Sequence, residues 1–165
     1  MPAVSDTSPI LGLSVIGHLN LLHEQFGDIF IPQAVFDELK IESNFRGVKM
    51  IQEALESNWL IIKQIKNKPL AQSLSNDLNI GEAQAITLAI DLNIEIIVMD
   101  ERIGRDRARD LGLRTVGVLG VLLTAKKRKQ IKSLRKAMDD LREQIGFFIS
   151  EELYQQVLKQ ADEGK

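Results

Sequence analysis

The sequence contains no cysteine, which excludes disulfides, thiolate metal centres and cysteine nucleophiles. Histidine is nearly absent too: His18 and His23 are the two present, both in an early helical region, and neither is assigned a role. Excess charge of one sign is lacking. With 21 Lys and Arg against 23 Asp and Glu, the formal net charge is −2, so the total gives no sign of a polyanionic partner and only a local patch could. The longest apolar run, GVLGVLLTA from Gly117 to Ala125, is far short of the ~20 residues that span a bilayer. No signal peptide precedes Ala3, so a soluble, cytoplasmic protein with no membrane association is expected. Repeats, low-complexity segments and linkers are missing as well. A chain of 165 residues is then read as one domain, 1–165, with helices from about residue 126 as an appendage.

What is present is an alternation of short β-branched runs with longer helical patterns. The strands expected are AVSD (3–6), DIFI (28–31), WLIIKQI (59–65), EIIVMD (95–100) and LRTVG (113–117). Between them lie SPILGLSVIG, HLNLLHEQFG, PQAVFDELK, NFRGVKMIQEALESN and NIGEAQAITLAIDLN, with KSLRKAMDDLREQ and SEELYQQVLKQ joined at Gly146 in the tail. EIIVMD is almost wholly apolar, as a parallel strand buried on both faces would be. The alternation predicts an α/β fold, a three-layer α/β/α sandwich around a mostly parallel sheet.

Acids close two of these strands. Asp6 ends AVSD and Asp100 ends EIIVMD; if the strands are parallel neighbours, both carboxylates emerge at one edge of the sheet, where open α/β sheets gather ligands. Asp6 has a rival reading. Ser8 before Pro9 makes a good N-cap followed by proline at the first helical position, which leaves Asp6 as a polar turn residue. Glu82 is more telling. On a helical wheel from Ile80 to Asn93 it falls within the apolar face of Ala83, Ile86, Ala89 and Ile90, opposite Gln84, Thr87 and Asp91. A carboxylate there is costly without a partner, although Asn79-Ile-Gly-Glu82 also has capping-box spacing. In PQAVFDELK, Asp37 points away from Val35, Phe36 and Leu39, whereas Glu38 lies on the flank and can reach a shared site.

Together Asp6, Glu38, Glu82 and Asp100 describe a carboxylate cluster, which would bind protons unless cations neutralise it. All-oxygen ligands select Mg²⁺ or Mn²⁺, and such ions suit phosphodiester hydrolysis. On VSDTSPI, PQAVFDELK, GEAQAITLA, IIVMDERIGRDRARDLGL and GVLLTAKKR, the chain resembles the PIN-domain superfamily, and within it a PIN-like subfamily related to VapC-type toxin ribonucleases. The resemblance covers the chain to about Leu158. It implies an Mg²⁺- or Mn²⁺-dependent endoribonuclease cleaving single-stranded RNA, with Asp6, Glu38, Glu82 and Asp100 as the catalytic acids and Asp6, Glu82 and Asp100 on the metal. Ser8 matches a hydroxyl that assists there. A small antitoxin partner and a homodimer are also implied. The pattern departs at one point: many PIN nucleases carry another acid two to four residues after the strand-4 aspartate, where this chain has Arg102, Ile103 and Gly104, with Glu101 and Asp106 nearby.

Arg102, Arg105 and Arg109 share a helix face beside these acids, a geometry suited to phosphate. The competing arrangement is a pair of i,i+4 ion pairs, Glu101–Arg105 and Arg102–Asp106. Arg105 and Arg102 are taken as substrate-binding. KKRKQIKSLRK is the one strong basic run, suited to nucleic acid, an acidic partner or solvent. Two other functions compete: a degenerate PIN module that binds RNA or protein without cutting, and a haloacid-dehalogenase-type phosphatase. The latter needs an aspartate where Ser8 stands and is set aside.

Overall fold

The computed structural model describes residues 1–41, 44 and 46–164. Strands β1 (Ala3–Ser5), β2 (Ile29–Pro32), β3 (Leu60–Lys63), β4 (Ile96–Val98) and β5 (Arg114–Val116) form one sheet in the order β3-β2-β1-β4-β5. Every pairing is parallel. The helices are α1 (Thr7–Val15), α2 (Asn20–Phe26), α3 (Gln33–Ile41), α4 (Val48–Glu56), α5 (Lys68–Leu74), α6 (Ile80–Asp91), α7 (Arg102–Asp110), α8 (Val118–Lys127), α9 (Leu134–Ile145) and α10 (Glu151–Gln160). The expected α/β/α sandwich is therefore the fold. All five expected strands are present, each within a residue or two of its predicted bounds.

The period-2 alternation of strand side chains divides the core into two layers. Ala3, Ile96 and Val98 face a large cluster with residues of α1, α8, α9 and α10. Their neighbours Val4, Ile97 and Met99 face a smaller one formed chiefly with α6. Leu134, Met138, Leu141, Tyr154 and Leu158 of the last two helices belong to the larger cluster, so these helices complete one face of the sandwich.

Three expectations are corrected. Ser8 is not the cap of the first helix. The Asp6 N–H donates to Val98 O at 3.0 Å, which holds the chain in strand pairing as far as Asp6; Asp6 takes the N-cap position and the helix starts at Thr7. Pro9 then sits third in the helix, still within the first turn, where no intrahelical N–H is needed. Thr87, placed opposite the apolar face of its helix, is fully buried, with its hydroxyl donating to Ala83 O at 2.9 Å. The reason is that α6 packs against the sheet, α3, α5 and α7 together, whereas a wheel with one wet face assumes a surface helix. Finally, α5 and α8 are elements that the sequence reading leaves unassigned. In the segment from Asn44 to Asn58 the helix begins at Val48, and Phe45 lies outside the described residues.

Candidate active site

The strand order reverses between β1 and β4, and at such a switch point the connections leave in opposite directions and open a crevice beyond the carboxyl ends of the strands. In-register pairing of Val4 with Ile97 and Ser5 with Val98 sets Asp6 and Asp100 at that edge. Asp6, Ser8, Glu38, Glu82 and Asp100 all line one cleft of about 660 Å³, with Glu101 beside them. The four acids singled out above thus converge on one place.

Each is held there by local structure. Asp6 is 5% exposed, and although it occupies the N-cap position its side chain makes none of the usual capping bonds further into the first turn. Burial, reinforced by the charges of Glu82, Glu38 and Asp100 and only partly offset by the Thr7 N–H, pushes its carboxyl up to about 7. Glu82, 6% exposed, takes part in the capping box that competed with its functional reading. Asn79 N–H donates to Glu82 Oε1 at 3.1 Å and Glu82 N–H to Asn79 Oδ1 at 2.8 Å. The box and the cleft are compatible, because the box is what fixes the carboxylate at the first turn of α6. Burial, then the charges of Glu101 and Glu38, raise its pKa against the pull of the Asn79 N–H.

Asp100 accepts from Val118 N–H at 2.8 Å through Oδ1, while Oδ2 is buried with no hydrogen-bond partner among the described residues. Burial raises its pKa, opposed by the Val118 N–H and the Arg105 charge. Glu38 is half-buried on the flank of α3. Its carboxylate lies directly over Gly81, where any Cβ would overlap it, so the bare backbone at the start of α6 makes room for this acid. Asp37 is exposed and accepts from Gln33 on its own helix.

Arg105 is the arginine the structure draws in. Its Nη1 donates to Met99 O at 3.0 Å, and it lies with Asp100 along Gly117, where a Cβ would come within 2.7 Å of the guanidinium and 3.0 Å of Asp100 Oδ1. It lines a second cleft adjoining the acidic one. Arg102 is exposed at the first turn of α7 and lines neither cleft. The i,i+4 pairs Glu101–Arg105 and Arg102–Asp106 are not formed among the described residues. Glu101 instead caps α7 through Ile103 N–H at 2.9 Å, and Asp106 pairs with Arg109 at 3.6 Å. Of the two acids near the departure from the PIN pattern, Glu101 is the one at the cleft. The basic run begins at Lys126, at the far end of α8 from Asp100, about 12 Å away along the helix.

Among the described residues, no three acidic or imidazole side chains already stand together as metal ligands. The chemistry of the site nevertheless fits a hard cation. The donors are all carboxylate oxygens, one of them a buried oxygen without a partner among the described residues, and burial first, then the charges of its acidic neighbours, drive the Asp6 carboxyl towards protonation. Such a cluster is short of positive charge.

Glu101, named with Asp106 as an acid near the departure from the PIN pattern, is a wall of the cleft; Phe147 and Phe148, which line it from the turn between α9 and α10, carry no such signal in the sequence. No local pattern reveals where a turn more than 45 residues after Asp100 will lie.

Residues 2–163 match a family model described as PIN domain. In structure the chain is similar to a PilT N-terminus domain protein from the hyperthermophilic archaeon Sulfolobus solfataricus. The TM-score is 0.55 at 20% identity, over 76% of this chain and 93% of that one. No curated protein gives a significant match.

Proposed function

From the premise that this chain belongs to the PIN-domain family, whose model matches residues 2–163 and whose members are generally nucleases, we propose that it is a metal-dependent endoribonuclease cleaving single-stranded RNA. The observation that carries this reading is the convergence of Asp6, Glu38, Glu82 and Asp100 on one cleft at the switch point of the sheet. Asp6, Glu82 and Asp100 would hold Mg²⁺ or Mn²⁺. When bound, such an ion lowers the pKa of a water and stabilises charge at a phosphoryl centre. Glu38, at the rim, is suited to take the proton of the attacking water as the P–O bond to the leaving oxygen breaks. Ser8 and Arg105 would meet the phosphate, with Arg102 a weaker contributor from its exposed position.

Labelled single-stranded RNA is the test substrate, incubated with Mg²⁺, with Mn²⁺ and with chelator. Cleavage that needs the ion and disappears in Asp6→Asn supports the reading; a wild type inert under both metals overturns it. The likeness of VSDTSPI and GEAQAI to VapC-type toxins extends the proposal to a cytoplasmic toxin, acting as a homodimer and held by a small antitoxin. A second reading, a binding module that does not cut, is favoured by Glu82 Oε1 being committed to the capping box. The residues Arg102, Ile103 and Gly104, standing where many relatives carry a further acid, favour it as well.

A further inference from the structure

The acidic cleft is not isolated. A second cleft, of about 620 Å³, shares Asp100, Phe147 and Phe148 with it and runs on between α8 and α10. Its wall is largely apolar, with Leu119, Leu123 and Val157, and Arg105 stands where the two clefts meet. Phe148 on the shared rim is 84% exposed, the largest exposure among the large apolar side chains of the described residues. It is also pinned. Gly146 takes the left-handed conformation at φ +65° that ends α9. Phe147 N–H then donates to Leu141 O at 3.1 Å, and Arg142 Nη2 donates to Ile149 O at 2.7 Å. Phe147 packs on the core and Ile149 is buried, so the residue between these two inward anchors is left outside.

A solvent-facing aromatic ring on an anchored stretch of backbone, an arginine and a cluster of acids in sequence along one groove match successive parts of a nucleotide. We propose that the second cleft is a nucleobase subsite, in which Phe148 stacks an unpaired base next to the phosphate held at the acidic cleft. This rests on the nuclease reading above and assigns it a source of preference for single strands, since a base within a duplex has no free face to offer. Stacking on a protein aromatic tolerates any base because every base has a π-face. Arg105 adds the charge complement, a cation for the phosphate linking the stacked base to the reacting one. A second copy of this chain would cover the same apolar wall but has no use for an arginine set against Asp100.

The test uses the full chain carrying Asp6→Asn to stop cutting, with single-stranded RNA containing 2-aminopurine, whose fluorescence is quenched on stacking. Quenching is expected on binding in Mg²⁺. Adding Phe148→Ala should abolish the quenching and weaken binding roughly tenfold, while Phe148→Trp should preserve both. Because Phe148 is exposed, the fold survives the change, and thermal melts check this. If Phe148→Ala binds and quenches as before, the subsite is wrong, and wild-type cleavage of the same RNA decides separately whether the nuclease reading stands. If Phe148→Ala instead turns a dimer into a monomer in sedimentation with quenching unchanged, the face is an interface between copies and the proposal falls. Quenching without any wild-type cleavage keeps the subsite and removes the nuclease. RNA that neither binds nor is cut removes both.

Discussion

Asp6 holds its proton to about pH 7, against an ordinary carboxyl value of 3.8, and this makes the metal-free protein sensitive to pH. The sign follows from linkage. Between those two values the folded chain binds a proton that the unfolded chain has released, so stability is greatest at the acidic end of the window, falls as pH rises towards 7 and levels above it. Asp100 and Glu82 shift in the same direction. Asp6→Asn should therefore raise the stability of the metal-free protein at pH 8, on the order of 2 kcal/mol, and flatten its pH dependence, while RNA cleavage is lost. Urea unfolding at pH 5 and pH 8 measures the first, and a parallel slope in the mutant would contradict it. Ser8 separates from Asp6 in the opposite way. It is exposed and the N-cap position belongs to Asp6, so Ser8→Ala should change stability by no more than ~0.5 kcal/mol, with any loss confined to cleavage. A drop of a full capping interaction, about 1 kcal/mol, would show that the hydroxyl does cap the helix in solution.

At the scale of elements, the first turn of α6 joins fold to site most closely. Asn79 and Glu82 close the capping box, and Gly81 leaves the space that Glu38 fills from α3. Gly81→Ala should thus spare the helix and disturb the acid. The alanine has ordinary helical backbone to occupy, and the group it would strike is the end of a flexible side chain, so stability should stay within about 1 kcal/mol. The Glu38 carboxylate must swing away, and metal-dependent cleavage should fall at least tenfold; equal cleavage by mutant and wild type would mean that Glu38 is not needed where it lies. The same turn shows what can be read from residues alone. Capping spacing and an acid on an apolar face are local, and both were visible. That Thr87 is also buried was not, because it depends on α3 and α5 enclosing the helix. Helix α5 carried its own signal in Asn67, which accepts from Leu70 N–H at 3.1 Å, and in Pro69 in the first turn. Its seven residues are too short for periodicity to speak. The strands were legible as β-branched runs, but their order is a set of non-local pairings that no single run encodes.

For the whole molecule, the question is what keeps α9 and α10, and with them Phe147 and Phe148, fixed against the sandwich. Part of the answer is apolar: Leu134, Met138, Leu141, Tyr154 and Leu158 are buried in the larger core. The other part is Glu163. After α10 has run back along α8, its carboxylate accepts from Leu134 N–H at 2.6 Å and Arg135 N–H at 3.1 Å, and it meets Lys126 at 3.2 Å. It serves as an N-terminal cap for α9 supplied from the other end of the helical pair, satisfying amides that the helix itself leaves open. Burial alone would raise the Glu163 pKa, but the two backbone bonds and Lys126 outweigh it and hold the carboxylate below its ordinary range. Its contribution is therefore present at neutral pH and lost as pH falls through that lowered value. Glu163→Ala should cost about 1–2 kcal/mol at pH 7 and less at pH 3, where the wild-type carboxylate is itself becoming protonated. Hydrogen exchange should show the first amides of α9 losing protection in the mutant, and the 2-aminopurine quenching attributed to Phe148 should weaken with them if this clamp is what fixes the turn at Gly146. Unfolding in urea at the two pH values checks the energy. An equal cost at both would mean that packing, not the charge on Glu163, closes the molecule.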